Sequence, residues 1–300
     1  MKKVLVINYS QSGQLNEIID NFLLPFHSAD IERKQIETVK PIAFPWKSDV
    51  FYDTMPECVN EEAVALKPVN YASEKYDLII LGYQPWFLSP SLPVTSLLQD
   101  PVFQQKMKGT PIVTVIGGRN MWLNSQESIK AYIKKAGGIL VGNVPLMDRE
   151  PNLISVLTIF HWMLTGKKER KWNLLPVPGV SQKDILSADK FGSIVHTALQ
   201  SENYNGLQKD ILSLGLIEIP TDIWFIEMRG KKIFRIWAGL IKKKGTTPEK
   251  RKFYVNLFSY YLLIALFVAS PIILSVYFVF FAPFLQKSIK RSKEYYYGVS

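Results

Sequence analysis

The sequence predicts a doubly wound α/β fold: a parallel sheet with helices on both faces. A helical C-terminal extension with a hydrophobic membrane segment follows it. Three observations predict this. Short, continuously apolar runs at 4–8, 77–82 and 111–116 recur along the first half of the chain. Strands of that kind are buried on both faces, as in parallel sheets. Helix-period segments at 15–26, 94–99 and 125–136 separate them, the alternation that builds such a fold. Far beyond lies an uncharged stretch, 253–285, longer than the roughly 20 residues that span a bilayer.

The run KKVLVIN (2–8) makes the first strand and ends in Tyr9-Ser10-Gln11-Ser12-Gly13-Gln14-Leu15 before the first helix. A strand that breaks into a Ser/Gly loop and then a helix presents backbone N–H groups and hydroxyls at a helix N-terminus. That is a cradle for phosphate. The loop lacks the Gly-Lys-Ser/Thr of a triphosphate loop and the three-glycine dinucleotide spacing. It suits one phosphomonoester held by hydrogen bonds. Residues 31–39 form a second strand, and 44–66 are irregular and aromatic, with room for a short helix. The strand 77–82, a helix starting at 94–99, the strand 111–116 and the helix 125–136 follow. Gly137-Gly138 caps that last helix, and 139–141 is a further strand.

Ligands of such sheets bind outside the carboxyl ends of the strands. After the third strand come Tyr83, Gln84, Pro85, Trp86, Phe87 and Leu88, and after the fourth Gly117, Gly118, Arg119, Asn120, Met121 and Trp122. With the phosphate cradle beside them, a flat ring anchored by one phosphate satisfies all three loops. For any single aromatic, closing the core is the simpler role.

Composition narrows the classes. The 47% hydrophobic share is ample for a core. One cysteine, Cys58, excludes an internal disulfide and a cysteine-based zinc site, and His27, His161 and His196 show no metal-ligand spacing. No metal is expected. The N-terminus does not read as a signal peptide, so the bulk of the chain is expected to face a reducing cytoplasm. The net charge of +10 is unevenly placed: from Lys242 onward ten lysines and arginines face two acids, leaving the rest nearly balanced. Basic charge beside a long apolar run points to anionic lipid and away from nucleic acid.

Residues 1–165 read as the α/β domain, 166–241 as a helical or irregular extension, and 242–300 as a basic-flanked membrane segment with its apolar core at 253–285. Within the first domain, 153–164 reads as a buried helix carrying His161; in the extension, 174–180 is a loop and 184–199 a helix. The span 233–241 places Ile233, Ile236, Trp237, Leu240 and Ile241 on one face and Lys231, Lys232 and Arg235 near the other. That pattern fits an interfacial helix, or one docked on the protein. Because both flanks of 253–285 are basic and positive flanks prefer the cytoplasm, a re-entrant hairpin bent near Ser270-Pro271 is expected. A single kinked span is the alternative.

The run Val-Leu-Val-Ile-Asn-Tyr-Ser-Gln-Ser-Gly resembles the first strand and phosphate loop of the flavodoxin-like superfamily of FMN proteins. Leu15 stands where that loop usually ends in Thr or Ser. The segment from Gln84 to Pro93 (QPWFLSPSLP) is similar to a loop of quinone reductases in that superfamily, which lines the isoalloxazine and the substrate pocket. The whole-chain layout resembles the dialkylresorcinol biosynthesis family of aryl-polyene and flexirubin-type pigment clusters. That resemblance implies an aromatase that oxidises a 2,5-dialkylcyclohexane-1,3-dione to the resorcinol. Its partners would be the alkylated dione, membrane lipid, a ketosynthase and an acyl carrier protein, with a homodimer also open. The chain is expected at the cytoplasmic face of the inner membrane, anchored through residues 253–285.

On this reading Ser10, Gln11, Ser12, Gly13, Gln14 and Leu15 surround the FMN phosphate. Pro85, Trp86, Phe87, Leu88, Gly117, Gly118, Arg119, Asn120 and Trp122 line the ring. Arg119 is the candidate to stabilise an enolate or reduced flavin, and Tyr83 and His161 are the candidate bases. An NAD(P)H:quinone reductase and a non-enzymatic membrane scaffold are the competing functions.

Overall fold

The computed structural model describes residues 1–299. Among the described residues seven strands form: β1 Lys2–Asn8, β2 Ala29–Gln35, β3 Leu78–Tyr83, β4 Pro85–Trp86, β5 Ser89–Pro90, β6 Pro111–Gly118 and β7 Ile139–Met147. The helices of the first half are α1 Gln14–Leu23, α2 Ser48–Asp53, α3 Met55–Val59, α4 Leu92–Gln99, α5 Pro101–Met107, α6 Leu123–Lys135 and α7 Asn152–Thr165. Those of the second half are α8 Gln182–Leu186, α9 Ala188–Ser201, α10 Leu207–Ser213, α11 Thr221–Lys244, α12 Pro248–Ile264, α13 Ser270–Phe280 and α14 Ala282–Tyr297.

Five strands pair in parallel in the order β2-β1-β3-β6-β7. Counted within the sheet alone, that order is 2-1-3-4-5, the doubly wound arrangement of flavodoxin-like folds, with its switch point between β1 and β3. Successive side chains point to opposite faces, and both faces are covered, which is why the strands read as unbroken apolar runs. Val4, Val6, Leu78, Ile80, Val113 and Val115 pack under α1, α9 and α10. Leu5, Ile7, Ile79, Leu81, Ile112 and Ile116 pack under α4, α5 and α6.

The expected division at 165 is not a packing boundary. Phe191, Val195 and Leu199 of α9 and Leu207 and Ile211 of α10 share one core with the sheet and α1. The helical layer on that face is incomplete without them. The predicted helix 184–199 is two helices broken at Ser187, and β7 runs well past the predicted 139–141.

The apolar C-terminal segment also differs from expectation. α12, a π-helical turn at Ala265–Ala269 and α13 form one continuous helix, Pro248–Phe280, long and apolar enough to cross a membrane. Pro271 lies inside this continuous helix, and the π-helical turn just before it accommodates the missing N–H, so the chain is not bent back there. The chain bends at Phe281, where α13 ends, and α14 leads on toward the sheet domain. Its end is held there: Gln208 Nε2 donates to the Tyr297 carbonyl at 2.9 Å, and Trp224 Nε1 donates to Ser292 Oγ at 2.9 Å.

Candidate functional site

The first loop leaves β1 at Tyr9 and enters α1 at Gly13, whose φ of +86° is left-handed. An added Cβ there would meet nothing within 4 Å, so glycine serves the backbone angle and not space. No side chain caps α1; the Asn16 N–H bonds back to the Gly13 carbonyl at 2.9 Å, and the Gln14 and Leu15 N–H groups before it lack intrahelical acceptors by geometry. Beside them, the Ser10 hydroxyl is buried without a hydrogen-bond partner. An uncapped helix start next to an orphan hydroxyl is a donor set waiting for an anion.

The loop is pinned from outside. Gln84 Oε1 accepts the Gln11 N–H at 2.8 Å, and Gln11 Nε2 donates to the Ala43 carbonyl at 2.9 Å. The Gln14 side chain is not free for phosphate. Its Nε2 donates to the Val180 carbonyl at 3.0 Å, and its Oε1 accepts the Val180 N–H at 2.9 Å. Leu15 is fully buried in the core under α1, so it supplies no polar side-chain contact. Its methyl and that of Ile18 lie where a Cβ on Gly117 would fall, at 3.1–3.2 Å.

The second loop is a two-residue hairpin between β4 and β5, with Phe87 (φ +47°) and Leu88 (φ +61°) at the turn. Two left-handed residues in succession fit a tight primed hairpin turn, which Asn and Gly normally fill. Phe and Leu there are strained by about 1 kcal/mol or more each. A buried lysine holds them: Lys231 Nζ donates to the Leu88 carbonyl at 3.0 Å and to Ser89 Oγ. Its ion pair with Glu61 is 3.4 Å long. The strain fixes Phe87 against Phe51, ring centres 4.7 Å apart. Trp86 stands edge-on to Tyr9 and Trp46, at 5.8 and 5.2 Å.

The third loop brings Gly117, Gly118 and Arg119 to the same edge. A Cβ at Gly118 would stand 3.1 Å from Pro85, so glycine lets the two loops touch. Arg119 donates to Asn152 Oδ1 at 2.7 Å. Burial lowers its pKa to about 10, against the opposing pull of Asp148 and Glu227, so it stays cationic at neutral pH.

Two adjoining cavities result. A cleft of about 140 Å³ touches Ser12, Trp46, Trp86, Gly117, Arg119 and Trp162. A second cavity, about 320 Å³, lies between the loops and α11 with the long helix, and is apolar apart from two arginines and a few hydroxyls. Phe51, Pro85, Phe87 and Arg119 line both. The cleft alone is below the usual 300–1,000 Å³ of ligand pockets, and the joined space reaches that range.

Several predicted site residues lie elsewhere. Tyr83 is fully buried on the α6 face, donating to Gln126 Oε1 at 2.7 Å. Strand alternation turns it away from the cleft, so it is no base. Trp122 is also core on that face. Asn120 is buried with its Oδ1 unpartnered and touches neither cavity. His161 lines neither cavity and faces Glu169 at 3.7 Å. Leu88 lines only the apolar cavity. Phe44, Trp46, Phe51, Phe160 and Trp162 are site aromatics that the sequence did not single out. For Phe44, Trp46 and Phe51 the aromatic density of 44–66 was the signal, and it gave no position in space; Phe160 and Trp162 lie on the apolar helix 153–164, where aromatics read as core.

One buried carboxylate ties α11 to the sheet edge. Glu227 Oε1 accepts the Asn124 N–H at 2.7 Å, capping α6 from a distance, while its Oε2 has no partner. Burial pushes this carboxyl up to about 7, against the lowering effect of the Asn124 bonds and Arg119. The folded state therefore holds an extra proton between about pH 4.5 and 7. Glu227's contribution is full below the unfolded pKa and lost as pH rises, by roughly 3 kcal/mol. Urea denaturation across that range will show this slope, and Glu227→Gln will flatten it; equal slopes would refute the assignment.

The strand order and a ligand-shaped edge at the β1/β3 switch point define a flavodoxin-like α/β domain. No family model matches the chain, and no curated protein matches it in sequence. Among solved structures, it is similar to a flavoprotein in complex with FMN from Lactobacillus acidophilus NCFM. That match has 17% identity, 48% of this chain and 93% of that chain covered, and a TM-score of 0.40. It is similar to a flavodoxin from the domain Archaea at 11% identity, covering 66% and 99% of the two chains, TM-score 0.34. A flavone reductase matches at 11% identity over 67% and 64%, TM-score 0.36.

The residues present fit FMN. The Ser10 hydroxyl, the Ser12 hydroxyl and the α1 N-terminus suit its phosphate, and Trp86, Phe87, Gly117 and Gly118 suit the edge of its ring. The engaged Gln14 amide and the apolar Leu15 leave fewer side-chain donors than the sequence suggested.

Proposed function

We propose that this chain is an FMN-dependent oxidoreductase of an apolar, ring-containing carbonyl substrate. Its reaction is the oxidation of a 2,5-dialkylcyclohexane-1,3-dione to a 2,5-dialkylresorcinol. The observation that carries this reading is the junction of the polar-mouthed cleft with a larger apolar cavity at Arg119. A water-soluble electron carrier has no use for such a cavity. A ring with alkyl tails does.

When bound, FMN would supply a hydride acceptor. The chain's residues do the rest. Phe51 and Phe87 hold the substrate ring at the junction, and Phe160, Ile233 and Leu266 take an alkyl tail in the apolar cavity. Arg119 faces the ring oxygens as a cation and lowers the energy of the enolate in a site of low dielectric. Among the described residues lining the cleft, Arg119 is the one titratable side chain. With Tyr83 and His161 elsewhere, the proton leaves to water from an already acidic dione.

The test is a visible spectrum of the detergent-purified chain after addition of FMN and desalting, then anaerobic addition of a dialkylcyclohexanedione. The expected result is retained flavin that the dione bleaches. Arg119→Met is expected to lower kcat/KM about a hundredfold with flavin content unchanged. Bleaching by NAD(P)H and not by the dione would favour a quinone reductase. Failure to retain FMN would overturn both and leave a scaffold.

A further inference from the structure

The helix Pro248–Phe280 has the length and hydropathy of a bilayer span, yet only 6% of its most apolar window is buried in the protein. What lies beside it decides how a membrane can meet it. It meets α11 in antiparallel sense toward its two ends, and the apolar cavity separates the two helices in between. Val255 and Phe258 pack on Ala238 and Ile241, Trp237 meets Tyr261 at 5.0 Å, and Phe225 meets Tyr277 at 3.9 Å. α11 is itself fastened to the α/β domain. Lys242 pairs with Glu57 at 2.6 Å, Lys231 reaches Ser89, and Glu227 caps α6. Beyond the bend at Phe281, α14 is tied to α11 through Ser292 and to α10 through Tyr297.

Arg229, an exposed cation on α11, lines the same apolar space as Ile272, Ile273 and Val276 of the long helix. In a spanning pose it would lie within the hydrocarbon layer, where a cation is strongly disfavoured. The outward face is different. Ile264, Val268, Ile272, Val276 and Phe280 are all exposed, one turn apart. Four-residue steps drift by about 40° per turn in a straight α-helix, and the wider turn at Ala265–Ala269 offsets part of that drift. Exposed lysines stand at both ends of the stripe: Lys250 and Lys252 at one, Lys287 and Lys290 at the other.

We propose that this stripe lies in the plane of a bilayer, sunk into one leaflet, with the lysines at both ends on anionic headgroups. The attachment is monotopic: the helix neither crosses nor bends back at Pro271. The charge pattern selects the occupant, because a long apolar stripe with cations at both ends matches the acyl and headgroup layers of an anionic membrane. The inference stands whether or not the chain binds flavin.

Depth measurement on the full chain tests it. Single cysteines replace Ile264, Val268, Ile272, Val276 and Phe280 in turn, each carrying an environment-sensitive fluorophore; Cys58 is buried and serves as the unlabelled control. The vesicles are phosphatidylethanolamine with phosphatidylglycerol, and brominated lipids report depth. All five labels at one shallow depth is the expected result. Depth greatest at the centre would restore a hairpin, and a progression through both leaflets would restore a span. Labels already shielded from water without vesicles, in a dimer that ignores them, would assign the stripe to a second copy. Each of these overturns the proposal. The Lys250→Gln/Lys252→Gln variant is expected to bind the anionic vesicles roughly 30-fold more weakly at low salt and to leave binding to phosphatidylcholine vesicles nearly unchanged. Equal losses on both vesicles, or none, would remove the headgroup contact.

Discussion

Gly192→Ala destabilises the folded chain by about 3 kcal/mol or more, a loss at the upper end of overpacking costs. Gly192 sits in α9 where that helix crosses α1. A Cβ there would fall 1.9 Å from the Phe22 carbonyl oxygen and 2.9 Å from its carbonyl carbon. Both are backbone atoms, so no side-chain rotation relieves the clash. Either α9 lifts off the sheet or α1 shifts, and both expose part of the core that holds Phe22, Phe191 and Val195. Because α1 begins at the phosphate loop, a shift also disturbs Gly13 and Ser10. A fall in the urea midpoint, with loss of near-ultraviolet circular dichroism, is the expected readout. Gly215→Ala is the control: its φ of +65° is left-handed, but a Cβ there meets nothing within 4 Å. It costs about 1 kcal/mol from backbone strain alone. Equal midpoints for the two variants would show that α9 and α1 are not in this close contact.

Lys231→Met removes the cation that holds the strained hairpin and lowers stability by about 3 kcal/mol, the range for breaking one side of a buried pair. Burial lowers the Lys231 pKa while Glu61 pulls it back up, so the ammonium pays for its site with the Glu61 contact and its bonds to the hairpin. Without it, the Leu88 carbonyl and Ser89 hydroxyl lose a donor. Phe87 and Leu88 are then free to leave their left-handed conformations. Phe87 lines both cavities, so the relaxed hairpin should weaken ligand binding by about tenfold beyond the stability loss. Denaturation and ligand titration on Lys231→Met, Glu61→Gln and the double variant separate the two effects. Additive losses would show that the pair is not coupled, and unchanged binding would show that the hairpin keeps its shape without the lysine.

Much of this was legible in the residues. The strands β1, β3 and β6 announced themselves because a strand covered on both faces is apolar at every position. The phosphate loop was legible because a serine-rich break after such a strand has few other local reasons. β7 was legible only at its start. Its later part carries Gly142, Asn143 and Pro145, and Asn143 is buried because Thr114 donates to its side chain at 2.9 Å and its N–H meets Gln208 at 2.7 Å. A polar residue satisfied by distant partners looks, in sequence, like a loop. Tyr83 and Trp122 misled for a related reason: aromatics near the carboxyl edge face either the cleft or the core, and one position of strand alternation decides this for Tyr83, as the entry into α6 does for Trp122.

The sequence by itself determined the class of the fold, the edge at which a ligand would sit, and the presence of a long apolar helix between basic flanks. These depend on local pattern: periodicity, turn residues and charge runs act over a few residues. Only the tertiary structure decided that Phe51 meets both Phe87 and Phe160, that Lys231 and Glu227 reach across from α11, and that the long helix meets α11 and bends at Phe281. Those contacts join residues far apart in the chain, where burial and shape choose among partners that the local pattern leaves equivalent.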